Sequence, residues 1–113
     1  MSAPVPSQAW IKAVCDCLIS ADRKRIVLRQ RASLDWSALF PDAFLSDLYL
    51  ALAKALKSTD LDAKRVDDMK EPGETYGFFF YYRSQKLFGK ICLQPDGKMI
   101  IVYSAHRPLR PSL

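Results

Sequence analysis

The chain has 113 residues, of which 50% are apolar and 26% charged, and its net charge is +5. A chain of this length can form one domain whose core needs neither disulfides nor a metal. The composition excludes wholesale disorder, and no apolar run approaches the ~20 residues that cross a membrane. The positive charge favours a polyanionic partner, such as nucleic acid or an acidic protein, although it also serves solubility alone.

The N-terminal residues predict a short tail before a single domain. Residues 1–6 contain two prolines, which indicates a flexible tail followed by one α+β domain over residues 7–113. The first seven residues lack the basic start and apolar middle of a signal peptide. We therefore expect a cytoplasmic protein without a membrane segment.

The three cysteines do not form a metal-binding pattern. Cys15 and Cys17 lie in a helical pattern, where their thiols point about 200° apart, and Cys92 is distant in sequence. One histidine and no further ligand nearby complete a poor donor set. We expect no metal and no cofactor, with the cysteines acting as small apolar residues.

Two helices and a basic strand are predicted in the first half of the chain. Ser7 can cap a helix over residues 7–20, and Pro41 suits the first turn of a second helix over residues 41–57. Between them, residues 26–31 alternate as a strand with arginines on one side. That side is either a charged edge that prevents aggregation or a basic stripe for phosphates.

The polar stretch over residues 58–75 predicts a solvated loop. Its acidic pair, Asp67 and Asp68, admits the alternative of a metal or acid–base site, although nothing in the sequence fixes their geometry. After this loop the pattern changes to alternating apolar runs, which are typical of strands.

The last third of the chain predicts a three-stranded antiparallel meander. Strands over residues 76–83, 87–94 and 98–106 are joined by turns at 84–85 and 95–97, the second of which has the Pro-Asp-Gly turn signal. The predicted fold is therefore α+β, with two N-terminal helices packed on an antiparallel sheet formed by the basic strand and the meander.

Strict alternation of side chains assigns two faces to this meander. With the predicted turns, Tyr81 lies opposite Phe88 and Lys86 lies opposite His106. The core face consists of Tyr76, Phe78, Phe80, Tyr82, Leu87, Ile91, Leu93, Met99, Ile101 and Tyr103. The other face consists of Phe79, Tyr81, Arg83, Lys86, Phe88, Lys90, Ser104 and His106.

The second face mixes cations with aromatic rings, as in surfaces that bind phosphates and unstacked bases. An ordinary half-exposed sheet face is the other interpretation. His106 is the only histidine, and histidine suits general acid or base chemistry near neutral pH. A lone histidine near a strand end can also be a simple surface residue.

Two stretches of the meander resemble a known family. Leu-Phe-Gly-Lys-Ile at 87–91 and Ile-Val-Tyr-Ser-Ala-His at 101–106, with the order of the elements, resemble the motility quorum-sensing regulator (MqsR-like) type of toxin, within the wider RelE-like ribonuclease fold. The family's lysine corresponds to Lys90 and its terminal basic residue to His106. Its usual tyrosine is Phe88 here, so Tyr81 is expected to supply the missing hydroxyl. Its usual phenylalanine is Ala105.

The resemblance implies a bacterial toxin that cleaves RNA without a metal, as an mRNA interferase, and that a cognate antitoxin holds inactive. Cleavage would proceed by attack of the RNA 2′-OH on the adjacent phosphate. His106 would act as acid or base with Tyr81 as the second proton-transfer group, while Lys90 and Arg83 would stabilise the developing charge. The RNA-binding residues would be Arg25, Arg29, Arg31, Lys86, Arg107 and Arg110.

Two alternatives remain open at the level of the sequence. The first is a non-catalytic nucleic-acid-binding module on the same scaffold, which would bind RNA or DNA in a salt-dependent way without cleavage. The second is a protein-interaction module whose basic face docks an acidic partner. Association with the ribosome, the oligomeric state and the preferred RNA sequence are not determined by these patterns.

Overall fold

The computed structural model describes residues 6–113, so residues 1–5 of the predicted tail lie outside the described part, and Pro6 is buried. The elements in chain order are α1 Gln8–Ser20, β1 Ile26–Leu28, α2 Gln30–Leu39, α3 Leu45–Leu56, β2 Ala63–Val66, β3 Glu74–Tyr82, β4 Gln85–Leu93 and β5 Ile100–His106. The five strands form one sheet in the order β1-β5-β4-β3-β2, in which β1 runs parallel to β5 and the other pairs are antiparallel. The predicted α+β class is confirmed, whereas the predicted arrangement of two helices on an antiparallel sheet is wrong: the described residues form three helices and a mixed sheet. Over residues 6–113 no helix is long and apolar enough to cross a bilayer.

The core lies between the sheet and the helices. Helix α1 begins at the predicted cap, where the Ser7 hydroxyl accepts a hydrogen bond from the Trp10 amide, and it packs against α3. Because burial of large apolar side chains is the main stabilising contribution, the fully buried residues identify this layer. The largest are Trp10, Leu18, Trp36, Leu48, Leu52, Leu56, Phe78, Phe80, Leu87 and Ile91.

The predicted basic strand is wrong beyond Leu28. Residues 30–39 form α2 instead, because Ala32 and Trp36 are buried on one face of a helical pattern. Arg29 occupies the N-cap position of this helix and Arg31 lies in its first turn, so the arginines do not form one strand face. Two further elements also differ: α3 begins at Leu45 rather than at residue 41, and the predicted loop over 58–75 contains β2.

The turn between β3 and β4 lies one residue earlier than predicted. Arg83 and Ser84 occupy it, with φ angles of 50° and 64°, the positive values that a two-residue hairpin turn with matching twist requires. Tyr81 therefore lies opposite Lys86, and Phe79 opposite Phe88. The predicted pairing of Tyr81 with Phe88 is wrong by two residues, and an even shift leaves each side chain on its predicted face.

A β-bulge between β4 and β5 changes the pairing partway along the two strands. Ile91 lies opposite Val102, whereas Lys90 lies opposite Ser104, so that Tyr103 is the extra residue. Ile100 and Val102 consequently belong to the core cluster in place of the predicted Met99, Ile101 and Tyr103, although Ile101 is itself buried. His106 lies opposite Phe88, and the predicted pairing of His106 with Lys86 is wrong.

Gly89 is expected to be required for the packing of α3 on the sheet. A Cβ atom at Gly89 would lie 2.9 Å from Leu52 Cδ2 and 3.3 Å from Phe80 Cδ1. Both side chains are fully buried and have no free space to enter. We expect Gly89→Ala to lower the free energy of unfolding by about 1–3 kcal/mol, measured by urea denaturation. An unchanged midpoint would show that α3 can move away from the sheet at no cost.

Candidate functional site

Two rows of side chains cross the sheet on the face opposite the core. The first, the ring row, consists of Phe79, Phe88 and His106 on β3, β4 and β5. The second, the lysine row, consists of Lys64, Gly77, Lys90 and Ser104 on β2, β3, β4 and β5. Each row exists because residues in register on antiparallel strands point to the same side of the sheet.

The rings of the first row are in mutual contact and lean toward the second row. The Phe79 and Phe88 centroids are 6.4 Å apart, and those of Phe88 and His106 are 5.5 Å apart. A Cβ atom on Gly77 would lie only 2.8 Å from Phe88 Cζ. The absence of a side chain at Gly77 therefore allows the Phe88 ring to lie over the lysine row.

A cleft of about 400 Å³ lies over both rows. Its remaining wall is the C-terminal segment over residues 108–113, and Lys86 helps to hold that segment. The Lys86 ammonium group donates a hydrogen bond to the Pro111 carbonyl at 3.1 Å and lies 4.0 Å from the centroid of the Phe79 ring. The volume is in the range of sites for small ligands, and the described residues that line the cleft include no aspartate or glutamate.

His106 is oriented by the backbone that follows it. Its Nδ1 atom lies 2.6 Å from the Arg107 carbonyl oxygen. Because a carbonyl oxygen can only accept, Nδ1 donates this hydrogen bond, and in the neutral imidazole Nε2 is then the free acceptor. His106 also lines a second cleft, whose other residues include Arg31, Asp35 and Arg107. The two clefts therefore meet at this side chain.

Lys90 is half-buried and has no carboxylate within ion-pair distance among the described residues. Its ammonium group lies 5.8 Å from the centroid of the Tyr103 ring. The acid bonded to the hydroxyl of that ring, Glu71, accepts hydrogen bonds from Arg29 at 2.5 Å and from the Tyr103 hydroxyl at 3.0 Å. A partly desolvated ammonium group without a counterion favours the approach of an anion.

The bulge brings Tyr103 to the face of the sheet that carries Lys90, although the sequence predicted Tyr103 on the core face. Burial and the hydrogen bond to Glu71 raise the pKa of Tyr103 to about 12. The same hydrogen bond, with the Arg29 guanidinium, lowers the pKa of Glu71. The Tyr103 hydroxyl thus remains protonated and bonded at neutral pH, and the ring supports Lys90 rather than offering a proton-transfer group.

Two of the predicted catalytic residues lie away from the cleft. Tyr81 is exposed, lies opposite Lys86 and does not line the cleft, so the structure does not bring its hydroxyl into the cleft with Phe88 and His106. Arg83 Nη1 lies 2.9 Å from Asp42 Oδ1, and its guanidinium lies 5.0 Å from the Tyr82 ring centroid. This ion pair raises the pKa of Arg83 and lowers that of Asp42. Arg83 therefore does not line the cleft that contains Lys90, and the structure does not bring the two predicted charge-stabilising residues together.

The predicted RNA-binding arginines are divided among several places. Arg110 lines the first cleft, and Arg31 and Arg107 line the second, with Arg31 also paired to Asp35 at 3.2 Å. Arg29 pairs with Glu71 as described above. Arg25 is remote, because its carbonyl accepts from the Ile100 amide at the start of β5, about 20 Å from His106 at the end of that strand.

Lys64 is the residue of the lysine row that the sequence did not single out. It lies in β2, a strand of four residues, too short for an alternating pattern to be distinguished from a loop. Only its pairing with Gly77 brings its side chain to the cleft. Elsewhere in residues 6–113, no group of three His, Cys, Asp or Glu side chains could hold a metal, and the three cysteines are buried free thiols.

Comparison of the chain with models of protein families, with curated proteins and with solved structures gave no match. Its function is therefore inferred from the chemistry of the two clefts. That chemistry consists of one oriented imidazole, one half-buried lysine without a carboxylate partner, a row of aromatic rings and several exposed cations.

Proposed function

We propose that the chain is a metal-independent endoribonuclease of the MqsR-like, RelE-like kind that acts in the bacterial cytoplasm. The observation that carries the proposal is the position of two groups on neighbouring strands. The free Nε2 of His106 and the unpaired ammonium group of Lys90 lie on the same face of neighbouring strands, two residue pairs apart along β4 and β5. Diagonal neighbours of this kind are about 7–8 Å apart at the backbone, so both side chains can reach one phosphodiester.

The proposed reaction uses these two groups in one transfer. His106 Nε2 takes the proton from the 2′-OH, and the 2′-oxygen attacks the adjacent phosphorus. The bond from phosphorus to the 5′-oxygen breaks, giving a 2′,3′-cyclic phosphate and a 5′-OH. The Lys90 ammonium group stabilises the charge on the phosphorane and donates the proton that the leaving 5′-oxygen requires. Lys90 thereby performs both the proton transfer that the sequence assigned to Tyr81 and the charge stabilisation that it assigned to Arg83.

The second cleft supports the proposal by offering a path for the RNA strand beyond the scissile phosphate. It adjoins the first at His106 and adds Arg31 and Arg107, while Arg110 and Lys86 lie at the first cleft. Cations spaced along a path of this kind bind a phosphate backbone without regard to sequence. The same exposed surface would be covered by the cognate antitoxin that the family resemblance implies.

A non-catalytic RNA-binding module is the second candidate, and one observation favours it. Phe88 supplies no hydroxyl beside His106, and the nearby Tyr103 hydroxyl is bonded to Glu71 with its pKa raised to about 12. The catalytic version therefore depends on Lys90 as the acid. On this alternative, the clefts bind RNA in a salt-dependent manner and leave it intact.

The proposal is tested by incubating the purified protein with total RNA in EDTA and determining the chemistry of the fragment ends. We expect cleavage with 2′,3′-cyclic phosphate and 5′-OH ends, because the attacking group is the RNA's own 2′-OH. His106→Ala protein purified in parallel controls for contaminating nucleases. RNA that stays intact with and without ribosomes, yet is bound at low salt, would establish the binding module instead.

A further inference from the structure

The lysine row and the ring row together form a surface suited to one nucleotide. Lys64 and Lys90 lie on either side of Gly77, two strand spacings or about 10 Å apart at the backbone. The Phe88 ring lies over Gly77 and hence between the two lysines. A flat apolar ring flanked by two cations matches a base flanked by its two phosphates.

The opposite wall determines whether that base can be paired. Residues 108–113 line one side of the cleft, to which Pro108, Leu109 and Leu113 contribute apolar side chains, and the Lys86 bond to the Pro111 carbonyl helps to hold the segment there. A base that enters between Phe88 and this segment can no longer stack on its neighbouring bases or pair with a second strand. Only single-stranded RNA, or a nucleotide extruded from a duplex, offers such a base.

We infer that the first cleft is a subsite for one unpaired nucleotide, with its base stacked on Phe88 and a phosphate neighbouring the scissile one bound by Lys64. The inference rests on the proposed function for the choice of RNA as the polymer, and not on the cleavage step. Lys64 is exposed and, among the described residues, has no carboxylate partner, so its charge is available to a phosphate.

The test uses a probe that 2′-OH attack cannot cleave: a short, fluorescein-labelled 2′-O-methyl RNA of mixed sequence, alone or annealed to its complement. Binding is measured by fluorescence anisotropy over a series of salt concentrations. We expect the single strand to bind at least about 10-fold more tightly than the duplex. Inorganic polyphosphate, which has charge but no bases, should compete poorly with the single strand at equal phosphate concentration.

Substitutions at Phe88 and at Lys64 separate the contribution of base stacking to binding from the contribution of charge. Phe88→Leu should weaken binding of the single strand about 10-fold, whereas Phe88→Tyr, which retains a ring, should bind like the wild type. Lys64→Ala should weaken binding up to about fivefold at low salt and reduce the salt slope by about 0.7. Lys24→Ala is the matched control, since Lys24 is an exposed lysine before β1, toward the end of the sheet remote from His106.

Any of three results would overturn the subsite. The duplex could bind as tightly as the single strand, polyphosphate could compete with the single strand as well as an unlabelled RNA does, or Phe88→Leu could bind with wild-type affinity. Amide chemical shifts of Lys64 and Gly77 on titration with the probe provide a second readout that does not depend on any variant. If the probe binds as expected while natural RNA is not cleaved, the subsite stands and the proposed catalysis fails. If natural RNA is cleaved but the probe neither binds as expected nor shifts the Lys64 and Gly77 amides, the subsite fails and the proposed catalysis stands.

Discussion

His106→Ala should lower the rate of RNA cleavage by about 10²–10⁴-fold, the usual contribution of a general base. The loss follows from the orientation of the imidazole, whose Nδ1 is engaged by the Arg107 carbonyl and whose Nε2 is free. His106 is half-buried at the junction of the two clefts. Single-turnover cleavage of a labelled RNA, with unfolding followed in parallel, measures the effect.

A second variant separates proton transfer from a structural role. His106→Asn can preserve the hydrogen bond, since the asparagine amide can donate to the Arg107 carbonyl in place of Nδ1, but it has no group that titrates near neutral pH. We expect His106→Asn to be as inactive as His106→Ala. Wild-type cleavage by His106→Asn would show that His106 only positions the C-terminal segment, and the catalytic assignment would then be wrong.

The faces of β3, of β4 and of the end of β5 could be predicted from the sequence, whereas the pairing of the strands could not. Alternation with a period of two placed Lys90, Ser104 and His106 on one side, and this grouping is confirmed. The register failed at the first turn because Arg83 and Ser84 both adopt positive φ, and neither is the glycine or asparagine that usually indicates such a turn. The error at this turn amounted to two residues, an even number, so the side chains of β3 and β4 lie on their predicted faces.

The bulge and the short strands are properties of the tertiary structure. No local signal identifies Tyr103 as the unpaired residue of β5, and the bulge alone exchanges Tyr103 for Val102 in the core. Similarly, Lys64 joins the site because β2 pairs with the edge of β3. Helix α2 was the one avoidable omission, since Ala32, Trp36 and Leu39 follow helical spacing.

The candidate site has a cost for the stability of the fold. Lys90 is half-buried between Tyr103 and Ser104 without a carboxylate among the described residues, and Glu71 is already bonded to Arg29 and Tyr103. Desolvation of an ammonium group is unfavourable, and the interaction with the Tyr103 ring offsets only about 0.5–1 kcal/mol of it. A site that keeps a cation available for phosphate therefore gives up some stability.

Lys90→Met should consequently move activity and stability in opposite directions. Methionine retains the long unbranched shape without the charge, so the free energy of unfolding should rise by about 0.5–1 kcal/mol. RNA cleavage should fall by about 10²–10³-fold, because the charge on the phosphorane loses its stabilising cation. Urea denaturation and single-turnover cleavage measure the two effects on the same preparations.

An exposed lysine provides the control for the opposite effects expected on stability and activity. Lys98→Met removes the same charge from the exposed turn between β4 and β5, where the ammonium group is hydrated, and should change neither quantity. A Lys90→Met protein less stable than the wild type would show that the Lys90 ammonium group contributes to folding, for example through its contact with the Tyr103 ring at 5.8 Å. The cation would then be structural, and the phosphate would have to be bound by Lys64 and Arg110 alone.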